Sequence, residues 1–113
     1  MLKLVLMLKN TELKTVETDK ETITIGRSNS SDIYINNLGV SKKHATITCK
    51  NGSYFIEDLN STNGTLLNNE PITKAGLSGK DVVTIGKHTL FVSTQTSRDA
   101  TQGMSESTIK ITP

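Results

Sequence analysis

A chain of 113 residues has room for a single domain with one modest core. Thirteen Lys and Arg residues against eleven Asp and Glu residues give a formal net charge of +2, which is too small to mark a nucleic-acid binder. The single cysteine, Cys49, excludes an intramolecular disulfide, and two histidines provide no metal-ligand cluster of familiar spacing. We therefore expect no metal, no cofactor and a reducing, cytoplasmic compartment, and any anion-binding site must be local.

The opening segment, residues 1–9, is apolar, but Lys9 interrupts it before a signal-peptide core is complete. No apolar run in the sequence is long enough to span a bilayer. The sequence therefore predicts no membrane association. Its apolar residues recur with period two, the period of a strand, in four segments: 2–8, 23–25, 33–35 and 45–49.

An Asn51-Gly52 dipeptide separates two of the β-type runs, and this pair is a strong local signal for a two-residue hairpin turn. Pairing Lys50 with Ser53 places Cys49 opposite Tyr54, and Ile47 then lies opposite Ile56 on the same face. The turn and the hydrophobic pattern thus agree on one register. Cys49 is then most simply a small core residue.

Two further turns are predicted at Asn68-Asn69 and at Gly86-Lys87, the second joining residues 81–85 to residues 88–92. About ten to eleven short strands result, with no helical stripe between them. This pattern predicts an all-β fold, a two-sheet antiparallel β-sandwich.

The composition changes after Val92, where the chain becomes rich in Ser, Thr, Gln and charged side chains and has little to bury. We place the folded domain at residues 1–93 and a Ser/Thr-rich tail or linker at residues 94–113. Ile109 and Ile111 alternate in the tail and could pair along a sheet edge.

Three predicted loops hold polar and glycine residues of an informative kind, and loops on a rigid scaffold commonly carry recognition. The first contains Gly26-Arg27, the second Ser41-Lys42-Lys43-His44 and the third Ser61-Thr62-Asn63-Gly64-Thr65. Each fragment alone is common. Together, in this order and interleaved with strands, they closely resemble the forkhead-associated (FHA) domain over roughly residues 3 to 93.

The resemblance implies an FHA/SMAD-like β-sandwich that binds phosphothreonine in partner proteins, mediates phosphorylation-dependent signalling and performs no catalysis. It assigns phosphate binding to Arg27 and Ser41, with a hydroxyl contact from Thr62. Arg27 offers a planar fork of donors that suits a phosphate dianion. Asn63 would hold the peptide main chain, since its amide both donates and accepts. Lys42 stands where many members carry Asn or Arg, and its ammonium can reach phosphate or peptide backbone.

Three other residues are expected to support the site. By the resemblance, His44 braces the binding loops by hydrogen bonding and does not touch the ligand. Gly26 and Gly64 serve backbone geometry, either because a side chain would clash or because a positive φ is required. The simpler alternatives are a solvated charge for Arg27, turn capping for Ser41 and Thr62, and a solvated pair for Lys42 and Lys43.

Family members usually gain specificity from the third residue after phosphothreonine. Here Gly39 and Val40 of the second loop, and residues 74–79 of a later segment, are the candidates to line that region. Their types predict no clear preference.

Two other classes of function compete with phosphopeptide binding. An enzyme is disfavoured because no nucleophile–base–acid set occurs, although Ser41 and His44 are near neighbours. A phosphate-independent interaction module is disfavoured because all the phosphate-facing residue types are present. We expect a monomer, either alone or as part of a larger multidomain protein, that contacts neither nucleic acid nor membrane. The tail stays open as a passive linker, an internal phospholigand or a connection to further domains.

Overall fold

The described part of this chain consists of short paired strands, and most of them alternate buried and exposed residues. A computed structural model describes residues 1–94 and contains eleven strands there, with no helix. The strands are β1 (Leu2–Leu8), β2 (Thr11–Thr18), β3 (Thr22–Gly26), β4 (Ile33–Tyr34), β5 (Ala45–Lys50), β6 (Ser53–Asp58), β7 (Thr65–Leu67), β8 (Glu70–Ile72), β9 (Lys74–Gly76), β10 (Lys80–Ile85) and β11 (His88–Thr94). The all-β prediction is confirmed. No helix in this described part is long and apolar enough to cross a membrane.

The strands form two sheets that pack face to face. One has six strands in the order β2-β1-β11-β10-β7-β8, and the other has five in the order β4-β3-β5-β6-β9. All the pairings are antiparallel except that of β3 with β4, which is parallel and only two residues long. The predicted two-sheet sandwich is confirmed, and this short parallel pair is the one departure from purely antiparallel pairing among the described residues.

The β5–β6 hairpin has the predicted register. Lys50 pairs with Ser53, Cys49 with Tyr54 and Ile47 with Ile56. Both turn residues have positive φ, 54° at Asn51 and 81° at Gly52. Positive φ at both central positions is what a type I′ turn requires, and Asn-Gly adopts it at low cost.

The core lies between the two sheets and is built from the inward residues of each strand. Cys49 is partly buried and packs against this cluster, consistent with its predicted role as a small core residue. The fully buried members are Leu2, Leu4, Ile23, Ile25, Ile33, Ile35, Val40, Ala45, Ile47, Ile56, Val83, Ile85 and Leu90. Period-two alternation in the sequence therefore identified the core-facing side of the main strands.

Two features differ from the sequence expectation. Strand β2 was not predicted, because nearly all of its side chains are exposed and it carries no alternating apolar face. Strand β11 includes Thr94, whose N–H donates to the carbonyl of Gly79 at 2.8 Å, so strand pairing includes the first residue of the expected tail. The predicted tail positions Ile109 and Ile111 lie outside the described residues.

Candidate functional site

Three loops converge at one end of the sandwich: the β3–β4, β4–β5 and β6–β7 connections. The first two are joined by backbone hydrogen bonds. The N–H of Arg27 donates to the carbonyl of Ser41 at 3.0 Å, and the N–H of Ser28 donates to the carbonyl of Lys42 at 3.2 Å. The chain on either side of Arg27 is therefore fixed against the second loop.

Gly26 makes this close approach possible. A Cβ at this position would lie 2.1 Å from the carbonyl oxygen of Lys42 and 3.1 Å from that of Ser41. Both neighbours are backbone atoms, so they cannot rotate away as a side chain could. Gly26 is thus required by space, whereas Gly64 has a φ of +83° with open space around it. Glycine is therefore needed at position 26 because a side chain would clash, and it is favoured at position 64 because of the positive φ.

The Arg27 side chain is oriented by one of its own hydrogen bonds. Its Nε donates to the carbonyl of Val40 at 3.0 Å, and the side chain is half-buried. Within residues 1–94 its two Nη groups have no hydrogen-bond partner, so four donors of the guanidinium remain for an anion.

Ser41 links the second loop to the third. Its Oγ accepts a hydrogen bond from the N–H of Thr62 at 3.0 Å and lies 3.5 Å from the Thr62 hydroxyl. The N–H of Ser41 is not available to a ligand, because it donates to Nδ1 of His44 at 3.1 Å. Ser41 and Thr62 therefore present adjacent hydroxyl groups beside the Arg27 loop.

His44 is fully buried and joins all three site segments. Its own N–H donates to the carbonyl of Ile25, its Nδ1 accepts from Ser41, and its Nε2 lies 2.8 Å from the carbonyl of Gly64. A neutral ring with the proton on Nε2 satisfies both side-chain contacts. Because both ring nitrogens are occupied, neither is placed to take a proton from the Ser41 hydroxyl, so these neighbours do not form a nucleophile–base pair.

Asp58 is a structural element of the site that sequence reasoning missed. Its carboxylate accepts from the Ser61 hydroxyl at 2.5 Å, the Ser61 N–H at 3.0 Å and the Thr65 hydroxyl at 2.7 Å. Burial raises the pKa of Asp58, but these hydrogen bonds, together with His44 4.0 Å away, outweigh it and hold the pKa below its ordinary value of 3.8. An Asp three residues before a Ser in a turn-rich stretch is the signal that could have identified it.

Asn63 also connects two loops. Its Nδ2 donates to the carbonyl of Gly39 at 2.8 Å, and within the described chain its Oδ1 accepts no hydrogen bond. Lys42 and Lys43 are both exposed. The structure thus brings Arg27, Ser41, Thr62 and Asn63 together, with Lys42 exposed on the same second loop.

A groove of about 680 Å³ adjoins Gly39 and Asn63. Leu38, Leu66, Thr84 and Lys87 line it too, and Leu38 is 92% exposed. The expectation that Val40 lines the region for the third residue after phosphothreonine is wrong, because Val40 is 1% exposed and belongs to the core.

Residues 74–79, which were expected to line the region for the third residue after phosphothreonine, do not line this groove. They begin with β9, an edge strand of the five-stranded sheet, whereas three of the groove residues come from β7, β10 and the β10–β11 turn. Sequence reasoning missed these three because only the packing of the two sheets brings them beside the loops.

Comparison with known proteins supports one family. The family model described as "FHA domain" matches residues 23–86. An oxoglutarate dehydrogenase inhibitor of Corynebacterium diphtheriae is 42% identical over 72 residues, which cover 64% of this chain and 50% of the relative. The glycogen accumulation regulator GarA of Mycolicibacterium smegmatis is 39% identical over 72 residues, covering 64% of this chain and 46% of the relative. The matched region thus spans about half the length of these curated relatives.

Comparison with solved structures indicates the same family. An FhaA FHA domain, solved in complex with the intracellular domain of another protein, superimposes with a TM-score of 0.73 at 29% identity and covers 81% of this chain and 99% of its own. A chain solved for an analysis of phosphothreonine-dependent FHA domain interactions also gives 0.73 at 29% identity, with 83% and 98% coverage. On the family match, the loop motifs and the shared sandwich, this chain belongs to the FHA-domain family.

Proposed function

We propose that this FHA domain binds phosphothreonine in a partner protein through Arg27, Ser41 and Thr62 and so mediates phosphorylation-dependent regulation. The function is binding and not catalysis, in keeping with relatives that are named as a regulator and an inhibitor. No cofactor is needed. The proposal includes a monomeric state and a cytoplasmic location, and the location is proposed because a lone cysteine suits a reducing compartment.

The observation that carries the proposal is the arrangement around Arg27. Its Nε is held by the Val40 carbonyl while its Nη groups remain available, and the hydroxyls of Ser41 and Thr62 lie next to each other on loops that are locked together. A preorganised guanidinium and two hydroxyls suit a phosphate dianion, because little side-chain freedom is lost on binding.

The surrounding residues fit a peptide as ligand. Asn63 is fixed by Gly39 with an acceptor to spare for a peptide N–H, and the exposed ammonium of Lys42 can reach phosphate or peptide backbone. The adjoining groove, with Leu38 at its lip and Leu66 within it, would take a side chain near the phosphothreonine. We assign it to the third residue after phosphothreonine and expect an aliphatic preference there.

The proposal is tested by titrating an oriented phosphothreonine peptide library and its best member into the wild type and Arg27→Ala. We expect Arg27→Ala to reduce affinity by at least about a hundredfold, because it removes a charge-assisted fork of donors. The thermal midpoint should change little, since the arginine makes one side-chain hydrogen bond within the described domain.

Lys43→Ala is the matched control, because it removes an exposed cation two residues from Ser41. The Lys43 side chain makes no hydrogen bond in the described chain. This variant should bind within about twofold of the wild type. The same peptide with phosphoserine should bind more weakly, and with unmodified threonine not at all. Wild-type affinity in Arg27→Ala, or equal binding of the unmodified peptide, would remove the site assignment and favour a phosphate-independent module.

A further inference from the structure

The outer face of the six-stranded sheet is unusually apolar for a solvent-facing surface. Paired residues place two rows of side chains across this face, and over β1, β11, β10 and β7 these rows hold no charged group. The first row is Val5, Phe91 and Val82, and the second is Met7, Thr89, Thr84 and Leu66. Phe91 lies at the centre of the first row and is 44% exposed. We call these seven residues, five apolar residues and two threonines, the outer apolar face.

The other sheet shows what an ordinary solvent-facing surface looks like in the same molecule. Its outward rows consist mainly of threonines with charged residues, and the aromatic side chains among the described ones there, Phe55 of β6 and Tyr34 of β4, lie on separate strands. Thr24, Thr46, Glu57 and Lys74 form one of those rows. The two outer faces therefore differ in chemistry, because apolar side chains predominate in the described rows of the six-stranded sheet and threonine and charged side chains in those of the other sheet.

The outer apolar face is continuous with the groove beside the β3–β4, β4–β5 and β6–β7 loops, which we call the phosphothreonine loops. Thr84 and Leu66 belong to the second row of the face and also line the groove. Thr89 pairs with Thr84, and Phe91 follows two residues later on the same strand. Crossing one strand and moving two residues along it covers about 8 Å, which an extended peptide spans with about three residues.

Cationic side chains border the apolar rows on two sides. Lys87 lines the groove at one end, while Lys3 and Lys80 flank Ser93 in the next outward row at the other end. The acidic groups of this face, Glu12 and Glu17, both lie on the edge strand β2. The central part of the face thus suits an occupant that carries apolar residues flanked by acidic ones.

We propose that the outer apolar face is a second contact surface for the phosphorylated partner, occupied by the partner segment that leaves the phosphothreonine by way of the groove. That segment carries apolar residues about four to eight positions from the phosphothreonine, bordered by Asp or Glu. This inference rests on the proposed function, since the phosphothreonine loops anchor the segment and the face then selects it. It extends recognition well beyond the groove.

The test selects peptides from a library with phosphothreonine at the centre and about ten randomised residues on each side, long enough to cross the face in either direction. A library with about three residues on each side serves as the reference that cannot reach it. The proteins are the full chain, Phe91→Thr and, as a matched control, Phe55→Thr on the opposite outer face. Threonine keeps a strand-compatible residue while the ring is removed.

We expect the wild type to enrich aliphatic and aromatic residues at the distal positions on one side of the phosphothreonine. Phe91→Thr should lose this enrichment and bind the best long peptide about fivefold more weakly, while both variants bind the short library as the wild type does. Phe55→Thr should retain the enrichment. Lys80→Glu provides an independent readout, because it should abolish the distal preference for Asp and Glu while the apolar preference persists.

The outcomes separate the two proposals. Selection of phosphothreonine without any distal apolar enrichment, or enrichment that survives Phe91→Thr unchanged, overturns the second surface and leaves the proposed function intact. Failure of the wild type to distinguish phosphothreonine from threonine overturns both. Amide resonances of Val82 and Phe91 that shift with the long peptide and not with the short one would support the surface directly.

Discussion

The absence of a side chain at Gly26 allows two loops to approach closely enough to form backbone hydrogen bonds with each other. Gly26→Ala would place a Cβ 2.1 Å from the Lys42 carbonyl oxygen, so the second loop must move away and the backbone bonds from Arg27 and Ser28 must lengthen. We expect the free energy of unfolding to fall by about 1 to 3 kcal/mol and phosphopeptide affinity by at least about tenfold. Chemical denaturation and peptide titration measure the two effects.

Gly79→Ala is the control for that substitution. No atom lies within 4 Å of a Cβ built there and the backbone is not in the left-handed region, so stability should stay within about 0.5 kcal/mol of the wild type. Unchanged affinity in Gly26→Ala would show that the second loop can shift without disturbing the ligand site.

His88 makes stability depend on pH. Its side chain is 5% exposed, its Nδ1 has no partner among the described residues, and burial lowers the pKa of the imidazole below the ordinary value of 6.5. The unfolded chain therefore binds the proton more readily than the folded chain. The contribution of neutral His88 to the free energy of unfolding is fully present above about pH 6.5 and is lost as the pH falls below that value. Asp32 and Asp58, whose pKa values are lowered from 3.8, act only in more acidic solution.

Urea denaturation between pH 7.5 and 5 tests this expectation. The wild type should lose stability across the interval, and His88→Phe should show a smaller slope because it has no proton to gain at that position. We also expect His88→Phe to be at least as stable as the wild type at pH 7.5, since it removes an unpaired buried nitrogen. Identical slopes would assign the pH dependence to other groups.

At the scale of the element, the β7–β8 turn allows the contribution of backbone conformation to be distinguished from that of side-chain hydrogen bonds. Asn68 and Asn69 connect β7 to β8 with φ values of 51° and 73°. The side chain of Asn68 also donates to Asp81 and accepts from the N–H of Val82, both at 2.9 Å, whereas that of Asn69 makes no hydrogen bond in the described domain. Glycine suits both conformations, but it cannot replace the side-chain hydrogen bonds of Asn68.

We therefore expect Asn69→Gly to leave the free energy of unfolding within about 0.5 kcal/mol of the wild type, and Asn68→Gly to lower it by about 1 to 3 kcal/mol. Paired denaturant midpoints measure the difference. Equal losses in the two variants would mean that conformation, and not the contact with Asp81, decides stability at this turn.

Elements also show what the sequence could reveal. Local patterns were sufficient for the β5–β6 hairpin, because turn type and apolar alternation specify the same register. They were insufficient for β2, which is an exposed edge strand, and for the groove, whose residues Leu66, Thr84 and Lys87 come from the other sheet. The loop residues were found because each motif is contiguous. The burial of Val40 was not predicted, because the membership of a residue in a loop does not reveal whether its side chain is buried.

At the scale of the molecule, the core is enclosed between the first strand and the eleventh. Every buried member of the core cluster lies between Leu2 and Val92. We therefore expect residues 1–94 alone to fold with a thermal midpoint within about 3 °C of the full chain and to bind the same short phosphopeptides with the same affinity. Calorimetry and peptide titration of both chains check this. A large loss in the shorter chain would show that residues 95–113 contribute to the fold or the site.

The pairing of β1 with β11 has a mechanical consequence. Leu2 lies opposite Thr94 at one end of this pair, and Leu8 lies opposite His88 at the other, next to the turn that borders the groove. A force that pulls Leu2 and Thr94 apart acts along the hydrogen bonds, which run perpendicular to antiparallel strands. The bonds would then break one after another, as in a zipper, instead of resisting together. Tension applied at these two residues would separate β1 from β11 starting at the end farthest from the groove. The phosphothreonine loops would therefore be the last part of the domain on which the force acts.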